Sequence, residues 1–111
     1  MQYVSGAELR VHFNSGGYAR QMDDGHLSPT ILRHAHLKDP AARGEPSCTH
    51  SQIIRYLDAT GNWVAEVHQY LRPDRTRGGS GKPDPKRLRI GSTILVSTEG
   101  FGPVGTPGEA G

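Results

Sequence analysis

Apolar and polar residues alternate from Ala7 to Phe13. Leu9, Val11 and Phe13 fall on one side of an extended chain, and Glu8, Arg10 and His12 on the other. A period of two predicts a half-buried strand. Asn14-Ser15-Gly16-Gly17 follows as a run of turn formers, and Tyr18 to Met22 can return as a second strand ended by Asp24-Gly25. The first third of the chain therefore reads as a hairpin.

Ser28 to Lys38 supports two patterns. Ser28 before Pro29 is the order of a helix cap and first helical residue, with Ile31, Leu32 and Ala35 on one helical face. Leu32, His34 and His36 also alternate with Arg33, Ala35 and Leu37. Asp39-Pro40 stops the run early for a stable helix, which favours a strand. Ala41 to Thr49, with Gly44, Pro46 and Ser47, reads as a loop.

The clearest pair of elements is Ser51 to Asp58 and Trp63 to Leu71, joined by Ala59-Thr60-Gly61-Asn62. Ile53, Ile54, Tyr56 and Leu57 are strand formers, and Gly61 can take the positive φ of a tight turn. In the second segment Trp63, Ala65, Val67 and Leu71 share one face, with Glu66, His68 and Tyr70 on the other. Leu88 to Ser97 predicts one further strand, with Gly91 as a bulge or bend. Residues 100–111 hold five Gly and two Pro and read as a disordered tail. The sum is a mainly β chain of about five strands: a small antiparallel sheet, a sandwich or a partly open barrel. It occupies one domain over residues 1–98, followed by a flexible tail over 99–111.

Composition narrows this picture. Leu, Ile, Val and Phe number 21 of 111 residues, so the core is small and would gain from a dimer interface or a bound partner. The single cysteine, Cys48, excludes an intramolecular disulfide, and a reducing, cytoplasmic setting is the expectation. No apolar run reaches membrane-spanning length, and no basic-then-apolar leader opens the chain, so no membrane partner is expected.

Charge adds the most. Residues 72–89 read RPDRTRGGSGKPDPKRLR, with Arg72, Arg75, Arg77, Lys82, Lys86, Arg87 and Arg89 against Asp74 and Asp84. That is a local +5 in a chain whose total is +2, leaving −3 for the rest. Positive charge concentrated on a Gly/Pro connection favours an anionic partner. The run Gly78 to Lys82 is not a nucleotide-binding phosphate loop. Thr76 stands where the first glycine is required, and Pro83 where Ser or Thr is required. A glycine-rich nest flanked by Arg75, Arg77 and Lys82 still suits a polymer of phosphates, with Tyr70 and Trp63 as nearby stacking faces.

The six histidines offer two further chemistries. His34 and His36 share a face of a strand, and Cys48 and His50 repeat the spacing, which is enough ligands for a zinc site but matches no finger spacing. No metal or cofactor is therefore assigned, and these four residues remain a weak candidate. His68, with His12 or Tyr70 as partner and Arg72 nearby, has the residue types of phosphodiester cleavage by 2′-hydroxyl attack, as in small ribonuclease toxins. Cys48 before a histidine, with no third partner, does not define a nucleophile.

The leading expectation is a small binding module that contacts nucleic acid or another polyanion through the basic loop. The alternatives are a small metal-independent, toxin-like ribonuclease using His68, and a structural or protein-interaction protein of a bacterium or phage with no catalytic role.

Overall fold

The structure is a computed structural model and describes residues 1–99. It is mainly β, as expected. The strands form one six-stranded mixed sheet in the order β1-β6-β5-β4-β3-β2, rather than a sandwich or barrel. The strands are β1 (Gln2–Val4), β2 (Ser28–His36), β3 (His50–Leu57), β4 (Trp63–Leu71), β5 (Asp84–Ile90) and β6 (Thr93–Ser97). All neighbours are antiparallel except β1, which runs parallel to β6. The expected tail lies outside the described residues, apart from Glu99.

The first third is helical, which corrects the expected hairpin. Helix α1 spans Gly6–Ser15 and α2 spans Tyr18–Asp23. Ser5 caps α1 by accepting a hydrogen bond from the Glu8 amide at 3.0 Å. The sequence carries both periods at once. Leu9 and Phe13 are two positions apart in an alternating reading, but they are also i and i+4, so they stack on one helical face. Val11 decides between the two: a strand would bury it beside Leu9 and Phe13, whereas it is 65% exposed. Gly16-Gly17 joins two helices instead of two strands, and Gly17 takes φ +69°.

Two more elements differ. Gln2–Val4 adds a short strand, β1, too brief to show a period. Leu88 to Ser97 is two strands, not one. Gly91, at φ +60°, and Ser92 form a two-residue turn between Ile90 and its partner Thr93. The ambiguous Ser28 segment is a strand, and the central β3–β4 hairpin forms as expected. Gly61 takes φ +86° in its turn, and Asp58 accepts from the Thr60 and Asn62 amides.

The helices cover one face of the sheet. Leu9 and Phe13 of α1, with Leu27, pack against Ile54, Tyr56, Ala65, Val67, Leu88 and Leu95. Phe13 and Tyr18 stack with ring centroids 5.6 Å apart. Strand alternation then sends Arg55, Glu66, Arg87 and Arg89 to the opposite face.

Helical and extended readings of α1 make opposite predictions for its side chains. Phe13→Ala should cost about 3–5 kcal/mol of stability, while Val11→Lys should change it by less than about 0.5 kcal/mol. Urea unfolding of both variants checks the pair, and a large loss in Val11→Lys would overturn the helical assignment.

Candidate anion-binding cleft

The basic segment is tied down at both ends. Leu71 of β4 bridges to Arg77, and the Gly78 amide donates to the Tyr70 carbonyl at 2.9 Å. Asp74 closes the tip by accepting from the Thr76 amide at 2.9 Å and its hydroxyl at 2.6 Å. Glu45, reaching in from the β2–β3 connection, fixes the glycine run. It accepts from Arg72 Nε at 2.8 Å and from the Gly79 amide at 2.8 Å. Residue 78 must be glycine for this, because a Cβ there would run into the Glu45 carboxylate. The Arg72 hydrogen bond, seconded by the Gly79 amide, holds the Glu45 carboxyl below its usual range.

The seven cations separate into different environments. Arg72 is held by Glu45. Arg75 sits exposed at the tip with φ +74°. Arg77 donates to Gln69 Oε1 at 3.1 Å and lies 3.7 Å from Asp23 of α2. Lys82 is exposed, and Lys86 is buried with its ammonium 2.8 Å from Asp84. Arg87 and Arg89 belong to β5 and turn to the other face of the sheet, at Glu66 and Trp63 respectively. The run that looks like one basic patch in sequence is therefore several, because β5 begins inside it at Asp84.

A cleft of about 720 Å³ opens between the helices and this segment. Its cations are Arg10, Arg77, Lys82 and Lys86, its carboxylates are Asp23 and Asp84, and Phe13, Tyr70 and the Gly78-Gly79-Ser80 backbone complete the wall. Arg10 went unseen in the sequence because the strand reading placed it beside Glu8 and His12 on an outer face. On a helix it reaches Asp84 Oδ1 at 3.3 Å.

His68 and Tyr70 are brought together, their rings meeting edge to face at 5.0 Å. His68 is 8% exposed and its Nε2 lies 2.7 Å from the Ser51 hydroxyl. Burial first, and then the Lys86 charge, push its pKa down to about 4, with Asp84 opposing. The ring is neutral at neutral pH. His12 is on α1 and does not line the cleft, so the structure does not pair it with His68.

The histidines of β2 and β3 also converge, away from the cleft. His34 and His50 stack at 4.2 Å, and His36 and His50 lie 4.4 Å apart. The Gln52 amide is 2.9 Å from His34 Nδ1. Burial and the two neighbouring imidazoles lower the His50 pKa. Cys48 is exposed in the preceding turn at φ +67°. Among the described residues no group of three or more His, Cys, Asp or Glu is arranged to hold a metal. Nor is any helix among them long and apolar enough to cross a membrane. Comparison of the chain with protein-family models, with curated proteins and with solved structures finds no match.

The burial of His68 has a pH signature. The folded pKa, about 4, lies below the ordinary 6.5, so the unfolded chain binds the proton more readily in between. Stability is complete above that window and falls as the pH drops through it, by up to about 1.4 kcal/mol per pH unit for this one proton. Urea midpoints measured from about pH 7 down to about pH 5 should decline, and His68→Gln should flatten the slope. An unchanged slope in that variant would assign the effect elsewhere. For the loop, Glu45→Gln should weaken the tie to Arg72 and Gly79, seen as faster hydrogen exchange at the Gly79 amide.

Proposed function

We propose that the protein is a small nucleic-acid-binding module whose basic loop and adjoining cleft take the phosphates of a single strand. One observation supports this above the others. Four cations from α1, the loop and β5 line a cleft whose wall carries only two carboxylates. Separated cations suit successive phosphates better than one compact ion. Tyr70 supplies a stacking face on the same wall. Lys82 in the cleft and Arg75 at the loop tip beyond it are the exposed contributors, while Arg10, Arg77 and Lys86 already answer Asp84 and Asp23 and set the shape of the cleft.

A cleavage reading comes second and rests on His68, which lines the cleft in the neutral form a general base requires. Against it, the ring already contacts Ser51, and His12 is not at hand as the second proton carrier. Binding without cleavage is therefore the expected outcome. Chelator-resistant cleavage of RNA that disappears in His68→Gln would replace the binding reading with the enzymatic one.

The binding test is salt dependence. Affinity for a fluorescent single-stranded oligonucleotide should fall steeply with salt. Arg75→Ala together with Lys82→Ala should reduce the log–log slope by about 1.4, since each lost phosphate contact on a single strand is worth about 0.7. Absent or salt-insensitive binding would sink the proposal.

A further inference from the structure

We infer that the sheet face turned away from the helices is a second surface for single-stranded nucleic acid, separate from the cleft in its residues. It rests on the reading above for the class of ligand only.

The strand register sets a single row across this face. Tyr3 on β1 lies beside Val96 on β6, Val96 beside Arg87 on β5, Arg87 beside Glu66 on β4, Glu66 beside Arg55 on β3, and Arg55 beside Thr30 on β2. Glu66 is fully buried and is the row's one carboxylate. Arg55 meets it through Nε at 2.8 Å and through a terminal nitrogen at 2.6 Å, and Arg87 Nε approaches from the other side at 3.6 Å. One sunken anion thus fixes two guanidiniums side by side. With strands about 4.8 Å apart, Arg55 and Arg87 stand about 10 Å from each other across β4.

Two more arginines widen the surface. Arg89 lies 4.7 Å over the Trp63 ring, and Arg55 reaches the same ring at 5.8 Å. Arg33 of β2 is exposed at the row next to Ile53. Arg33, Arg55, Arg87 and Arg89 against Glu66 sum to +3, and Asp58 of the β3–β4 turn, whose carboxylate feels Arg89, brings the balance to +2, with Glu66 itself out of reach of solvent. Tyr3, 65% exposed, stands at the far end of the row.

This chemistry selects its ligand. An acidic partner is required by the charge. Flat guanidiniums already stacked on tryptophan, with an open tyrosine, present planar surfaces on which bases stack, while the outer N–H groups meet phosphates. A compact anion would use neither the width of the row nor its aromatic faces. A single strand laid across the β-strands uses both.

Trp63 is the chain's only tryptophan, so its fluorescence reads this face alone. Titration with a single-stranded oligonucleotide of about twelve residues should quench it, and inorganic polyphosphate of similar charge, which has no bases, should quench it far less. Quenching should survive Arg75→Ala with Lys82→Ala, and affinity at this face should fall roughly tenfold in Arg89→Lys with Tyr3→Ala, which keeps the positive charge but removes two stacking planes. If that sheet variant keeps the parent's urea midpoint, the loss belongs to the surface and not to folding. Oligonucleotide binding that leaves Trp63 unchanged would overturn this inference and leave the cleft reading standing. Quenching that persists while the loop variant shows no loss of affinity would do the reverse. Equal quenching by polyphosphate, or quenching only by an acidic peptide, would also overturn it.

Discussion

Ala65 to His68, four successive residues of β4, have almost no exposure, although two are apolar and two are ionisable. A strand buried on both sides at mid-sheet must satisfy two different environments. Ala65 and Val67 meet the helices through dispersion and the hydrophobic effect. Glu66 and His68 have to be hydrogen-bonded or neutral to be tolerated where they are. Glu66 draws Arg55 and Arg87 to it from the flanking strands, and His68 gives up its charge and turns to Ser51. Removing a partner from a buried carboxylate is far more damaging than replacing the whole group, so these residues act as a unit. The chemistry of the outer face follows from this one strand. Arginines are there because a carboxylate is beneath them, and the surplus of arginine over carboxylate is what reaches solvent.

How much of this was legible in the sequence varies by element. The β3–β4 hairpin was, because its strand formers are separated by a short turn with a glycine where positive φ is needed. The early helices were not. Leu9, Val11 and Phe13 satisfy a period of two, and over seven residues that cannot be told from an i, i+4 pair with one exposed apolar residue between. Ser5 before Glu8 was the missed signal, since a serine three residues before a glutamate is the start of a capping box. Gly91 reads as a bulge or bend because three apolar positions, Ile94 to Val96, continue the run beyond it, yet a glycine with a small polar residue between two short apolar runs also marks a hairpin.

The site was legible in its charge and not in its layout. Composition located the surplus of cations in residues 72–89. It could not show that Asp84 starts a strand, which sends Lys86 toward the cleft and Arg87 and Arg89 toward the other face. Nor could it bring in Arg10, Glu45 or Asp23, which lie far away along the chain and join the loop only through the tertiary fold. The histidine pairs illustrate the same limit. Spacing put His34 and His36 on one side of a strand, and the sheet then placed His50 against both, as a stack of rings rather than a ring of ligands.

The parallel pairing of β1 with β6 has a consequence for how the chain comes together. Gln2 to Val4 precede their partners Leu95 to Ser97 by some ninety residues along the chain. Leu9 and Phe13, on the helix that follows, wait for Leu88 and Leu95 in the same way. During synthesis the central hairpin can close on local contacts and offers Ile54, Tyr56, Ala65 and Val67 to Leu9 and Phe13 before Leu88 and Leu95 complete their surroundings. Contacts so distant along the chain slow folding, because the loop must close before they contribute anything. The β5–β6 hairpin therefore completes the sheet by pairing with β1 and adds Leu88 and Leu95 to its hydrophobic side.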